Sequence, residues 1–115
     1  MWLDAHQVPR SKSKTLTAYP TSCDDLPMWN FDGSSTEQSP GENSDVYLVP
    51  RALFRDPFRG GRHVLVMSEC VQFDMQPAIG NTRAACVDSH NAYAELDPWY
   101  GIEQEYQTLR GDSTS

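Results

Sequence analysis

Val64-Leu65-Val66-Met67, set between His63 and Ser68, carries the clearest strand signal in the chain. Four consecutive apolar residues with polar flanks predict a strand over 63–68 with both faces buried. Val46-Tyr47-Leu48-Val49 predicts another, bounded by Pro50, which has no backbone N–H to donate. Trp2-Leu3-Asp4-Ala5 and Lys14-Thr15-Leu16-Thr17-Ala18-Tyr19 read as two short strands with a polar connection, and Tyr19-Pro20-Thr21-Ser22 as a turn. Residues 32–45, rich in serine, acids, glycine and proline, have loop composition, and Phe54 to Gly61 is a turn-rich link. Gln72 to Asn81 is a connection. Thr82 is placed to cap a helix from Arg83 to about Glu95, which Asp97-Pro98 ends. That helix is rich in alanine but has a weak apolar stripe. Ile102-Glu103-Gln104-Glu105-Tyr106 alternates and predicts a last strand. No internal repeat is visible. Several short strands with one helix predict an α+β chain.

Composition agrees with this picture. At 115 residues the chain has room for one small domain and little more. Its 38% hydrophobic and 22% charged residues lie below a typical compact domain but above the disordered range. Eight prolines and seven glycines favour turns and short elements over a helical bundle. The formal charge of −7 argues against a nucleic-acid partner, because an acidic protein does not attract phosphate backbones. No stretch is long and apolar enough to cross a membrane. Met1-Trp2-Leu3-Asp4-Ala5-His6 carries an acid where a signal peptide would begin its apolar region, so a cytoplasmic location is expected. Cys23, Cys70 and Cys86 are odd in number and widely spaced, which predicts free thiols in or near a core rather than disulfides or a zinc site. His6, His63 and His90 show no metal-ligand spacing and read as structural or surface residues.

Two segments are far more specific. Trp29-Asn30-Phe31-Asp32-Gly33-Ser34-Ser35-Thr36 is followed, after a polar loop, by Asn43-Ser44-Asp45-Val46-Tyr47-Leu48. Pro98-Trp99-Tyr100-Gly101-Ile102-Glu103-Gln104-Glu105-Tyr106 comes later. In this order and separation they resemble the glutamine synthetase family of eukaryotic type, with Asp56-Pro57-Phe58 and the strand near Val66 fitting the same pattern. The wording from Asp45 to Phe58 looks most like the animal-type enzymes. The resemblance runs from Trp2 to about Leu109. It implies a β-grasp domain over residues 1–75 and the truncated beginning of a catalytic domain over 82–115. It further implies an N-terminal piece of glutamate–ammonia ligase that is inactive alone. The family's N-terminal helical segment is missing here. So is most of the catalytic domain, with its remaining metal, ATP and glutamate ligands. The rival expectation is a non-catalytic β-grasp module that associates or interferes with full-length subunits.

Glu103 and Glu105 lie two apart on a predicted strand, so they point to one face. Their Cα atoms would be about 6.6 Å apart, twice the strand rise, and two carboxylates so placed can lean toward two cations about 4 Å apart. Oxygen ligands without thiols or clustered imidazoles suit Mg²⁺ or Mn²⁺. Taken alone, the pair is equally an acidic, solvent-facing edge. Asp32 taken alone is an Asx-turn residue, since Asp-Gly is a common turn pair. The resemblance implies more. Glu103 and Glu105 would each hold one catalytic metal, Glu103 also lying near ATP. Asp32, with Ser35 nearby, would bind ammonium and take its proton, in trans, at the neighbouring subunit's site. The implied partners are L-glutamate, ammonia and ATP as co-substrate, within homo-oligomeric rings forming a decamer of two pentamers. Trp99 and Tyr100 are expected to pack in a core rather than stack on nucleotide. Arg110-Gly111-Asp112 spells an adhesion tripeptide by chance.

Overall fold

The computed structural model describes residues 1–39, 41–109 and 111. Trp2–Leu3 (β1) and Pro9–Arg10 (β2) form an antiparallel hairpin, with Trp2 opposite Arg10. Asp4 organises its turn. The carboxylate is buried, accepts hydrogen bonds from the His6 and Val8 amides at 2.9 Å each, and pairs with Arg10 at 2.8 Å. Burial alone pushes this carboxyl's pKa up, yet the bonds from Val8, Arg10 and His6 hold it below its ordinary value. The return strand is therefore Pro9–Arg10, and the strand expected over 14–19 is absent. Residues 11–20 make no ladder; Lys12 and Lys14 turn onto the Trp29 ring instead.

Trp29–Asp32 (β3), Asp45–Arg55 (β4) and Val64–Val71 (β5) form an antiparallel sheet in the order β3-β4-β5. Phe31 faces Val46 across the first pair, and Leu48 faces Cys70 across the second. β3 was not anticipated: four residues with Asn30 among them are too few for alternation to stand out. β4 does not stop at Pro50 but continues to Arg55. The ladder shifts register between Pro50 and Ala52, and a bulge is where a residue without an N–H is tolerated. β3 reaches only as far as Leu48, so no third strand needs a donor from Pro50.

The expectation that 63–68 is buried on both faces needs correction. Val64, Leu65 and Val66 are half-buried and Met67 is exposed, while burial concentrates at Glu69, Cys70 and Val71. The reason is where the core sits. Trp2, Val46, Leu48, Cys70 and Ala78 form it, with Phe31 packed against it and the Trp2 and Phe31 rings 4.6 Å apart. Ser68 N donates to Met1 O at 2.9 Å, which seats the start of the hairpin beside β5.

The helix spans Thr82–Ala92 (α1), with a 3-10 turn at Ala94–Leu96 and left-handed Asp97 before Pro98. Asn81, not Thr82, caps it, accepting from Ala84 N at 3.2 Å. None of its residues is buried. It is held at its first turn: Asn81 Nδ2 donates to Cys70 O at 2.8 Å and Arg83 to Glu69 at 3.1 Å. Gly80, with a φ of +83°, lies so close to Asp4 O that an added Cβ would sit 2.8 Å from it. The strand expected over 102–106 is not formed. A strand exists through its ladder partner, and no described residue provides one. The fold class is α+β, as expected. Arg110 and Asp112 of the tripeptide lie outside the described residues.

Candidate functional site

Asp32 ends β3 opposite Asp45 and is exposed. The next four residues, Gly33–Thr36, wind into a 3-10 turn that Asp32 caps, its Oδ1 accepting from Ser34 N at 3.0 Å. Ser35 Oγ donates to the Asp32 carbonyl at 3.1 Å. Hydrogen bonds from Ser34, backbone first and hydroxyl second, and from the Ser44 hydroxyl hold the Asp32 carboxyl below its ordinary pKa. The site is thus an ionised carboxylate facing solvent, able to attract a cation.

The turn beneath it is rigidly placed. Gly33 N donates to Ser44 O at 2.6 Å, and a Cβ on Gly33 would overlap the Val46 side chain while lying 3.0 Å from Ser44 O. Only glycine lets this backbone approach β4 so closely. Gln38 is fully buried, and its amide nitrogen donates to Leu3 O at 3.1 Å, tying the loop to the hairpin. Ser39 Oγ donates to Asn43 O at 2.9 Å across the loop. The segment over 32–45 is a loop, as its composition predicts, but one with a buried polar interior.

Glu103 and Glu105 are placed differently. Every residue from 99 to 109 is exposed and irregular, and among the described residues the shallow hollow at Glu105 is lined besides by Gln104, Tyr106 and Gln107. The structure does not bring the two glutamates onto a strand face. Their oxygen chemistry suits a hard cation, but two carboxylates fall well short of the six oxygens Mg²⁺ takes. Among the described residues there is no group of three or more His, Cys, Asp or Glu that could hold a metal. The residues present therefore do not by themselves form a metal site. Trp99 is 89% exposed and donates to Asp97 at 3.2 Å, which corrects the expectation that it packs in a core; Tyr100 is likewise exposed.

The histidines are all exposed, and His6 pairs with Glu37 at 3.1 Å. All three cysteines are free; Cys70 is buried, Cys23 half-buried and Cys86 exposed on α1, away from any core. Sequence reasoning missed the buried Glu69, which Arg51 grips through Nε at 2.7 Å and through Nη2, and which Arg83 reaches at 3.1 Å. Burial pushes its pKa up, but the two guanidiniums bring it below the ordinary value. The acid in an otherwise apolar strand was the available signal.

A family model described as glutamine synthetase, beta-Grasp domain, matches residues 1–73. A glutamine synthetase of Colletotrichum gloeosporioides is 53% identical over 109 residues, covering 95% of this chain and 30% of that protein. One of Fusarium solani subsp. phaseoli is 50% identical over 113 residues, covering 98% of this chain and 32% of that protein. A protein of Chlamydomonas reinhardtii named glutamine synthetase cytosolic isozyme is 48% identical over 110 residues, covering 87% and 29%. The chain spans about 30% of the length of the curated relatives it matches.

Proposed function

From the premise that this chain belongs to the glutamine synthetase β-grasp family, we propose that it is part of a glutamate–ammonia ligase. Residues 1–75 are its β-grasp domain, and 82–115 open its catalytic domain. The full enzyme joins ammonia to the side-chain carboxylate of L-glutamate at the expense of ATP, through γ-glutamyl phosphate. Asp32 attracts ammonium and takes its proton, and Ser35 steadies the backbone beneath it. Glu103 and Glu105 would hold Mg²⁺ or Mn²⁺ together with further ligands, Glu103 lying beside ATP. A metal held there would supply charge neutralisation on the phosphates. The enzyme is a cytoplasmic ring-forming homo-oligomer, a decamer of two pentamers, in which Asp32 serves the neighbouring subunit. The observation that carries this proposal is the half-identity of relatives across nearly the whole chain. The exposed, ionised Asp32 on its pinned turn supports it.

One observation favours a second role for the 115-residue chain itself, as a non-catalytic module that associates with full-length subunits. Its core and ladders lie within residues 1–81, and the described residues 99–109 contribute nothing to them. On either view the chain alone makes no glutamine. Activity of the purified chain above a Glu105→Gln control would contradict this.

The in-trans role is tested in the full-length protein with Asp32→Asn and Glu105→Gln variants. Each homo-oligomer should lose about 100-fold or more in rate, the scale of a lost acid–base group. After joint unfolding and reassembly, about a quarter of the directional junctions should pair an intact Asp32 with an intact Glu105. Recovered activity supports a shared site. No recovery places Asp32 in its own subunit's site, and an active Asp32→Asn variant makes it a turn residue only.

A further inference from the structure

Residues 11–20 and the β4–β5 part of the sheet line a partly open cleft of about 840 Å³. That volume falls within the range of small-molecule sites, about 300–1,000 Å³. Its apolar wall includes Leu48 and Val66, which lie on one face of the sheet. Its charge is one-sided. Lys12, Lys14, Arg59 and Arg62 line it, four of the chain's nine lysines and arginines, while among the described residues no acid does. In a chain of net charge −7 this is a local reversal of sign.

Three of these cations are backed by aromatic rings rather than carboxylates. Lys12 Nζ sits 3.5 Å from the Trp29 ring centre and donates to Asn30 O, Lys14 Nζ is 5.2 Å from the same ring, and the Arg62 guanidinium lies 5.6 Å from that of Tyr19. Ring faces hold the cations in place without cancelling their charge. Among the described residues, the ion pairs formed by cavity cations are limited to that of Arg59 with Asp56, at 3.0 Å. Lys12 is half-buried, and burial followed by repulsion from Lys14 pulls its pKa down. An anion in the cavity would relieve both effects.

We propose that this cavity is a binding site for a small organic phosphate. Its apolar or aromatic body lies against Leu48 and Val66, and its dianionic head faces Lys12, Lys14 and Arg62. The volume exceeds what a bare phosphate fills, which is why an organic body belongs to the ligand. The site is separate from Asp32 and from the Glu103–Glu105 segment, neither of which lines it.

The test is a titration of the 115-residue chain with 1-naphthyl phosphate, without divalent cations, followed by Trp fluorescence and calorimetry. Saturable one-to-one binding is expected. The Lys12→Gln/Lys14→Gln variant should bind at least about tenfold more weakly, as should inorganic phosphate toward the unaltered chain. Glu103→Gln/Glu105→Gln should bind as the unaltered chain does. Absence of saturable binding overturns the proposal, as does unchanged affinity in the double lysine variant or equal affinity for inorganic phosphate. Should the lysine variant fail to fold, Arg62→Gln carries the test, and full affinity there overturns it too.

Discussion

Asp32 and the Glu103–Glu105 pair are the acidic features given roles in the proposed function, and the chain treats them in opposite ways. Asp32 stands on a turn closed by its own neighbours: Ser34 donates to it, Gly33 locks onto Ser44, and buried Gln38 anchors the loop to the hairpin. Glu103 and Glu105 stand on a segment whose recorded hydrogen bonds are between near neighbours, such as Gln104 to the Glu105 carbonyl at 3.4 Å. A carboxylate becomes a usable group when its backbone is held. For Asp32 the bonds of its own turn combine with Gly33 to Ser44 and Gln38 to Leu3. A strand has to be held by another strand, and none of the described residues supplies one.

The largest test of this difference is acid. Asp4, Asp56 and Glu69 have carboxyl pKa values lowered by folding. Their contribution is present above the unfolded values, near 4 for Asp and Glu, and is lost as pH falls through the still lower folded values. Moving from about pH 7 to about pH 3 should therefore lower the midpoint of the body's thermal transition. An unchanged midpoint by circular dichroism would show that these carboxylates do not hold it.

Gly33→Ala comes next. The new methyl would collide with Val46 beneath the Asp32 turn, and the cost should be about 1–3 kcal/mol, read from the urea midpoint. A stability equal to the parent's would mean the loop floats free of β4.

Glu69→Gln should cost less, about 1–2 kcal/mol, because Arg51 and Arg83 are both partly solvated and their pairing is screened. Its mark should be local: amide exchange across α1 should quicken more than across β3. Uniform quickening would show that the clamp serves the whole sheet rather than the helix.

Deleting residues 98–115 should have the smallest effect on stability, within about 0.5 kcal/mol, since 99–109 are exposed throughout. It should, however, reduce self-association seen in sedimentation. Trp99, Ile102 and Tyr106 are 89%, 91% and 82% exposed, an apolar surface that favours association. A large drop in melting temperature would reveal contacts between this segment and the body.

Several elements were legible from residue order alone. The strands near Val46 and Val64, the helix after Asn81 and the loop over 32–45 all appear, because each rests on local pattern or turn chemistry. Asp32 as an Asx-type capping residue was legible for the same reason. The 14–19 and 102–106 strands were not formed, although both alternate. Alternation states that a segment could form a strand; a neighbour decides whether it does. Sequence order likewise could not show that Lys12 and Lys14 would turn onto Trp29, far along the chain.

The sequence by itself determined the family and the local shape of the Asp32 turn. It also determined that two glutamates sit at alternate positions near the end of the matched region. Motif identity, turn preference and spacing are properties of neighbouring residues, so they need no third dimension. Only the tertiary structure decided that Pro9–Arg10 closes the hairpin, that Glu69 joins sheet to helix through two arginines, and that a cationic cavity opens under residues 11–20. Each depends on residues distant in sequence meeting across the sheet. Their energies come from burial, ion pairing and ladder bonds, which arise once those residues are brought together.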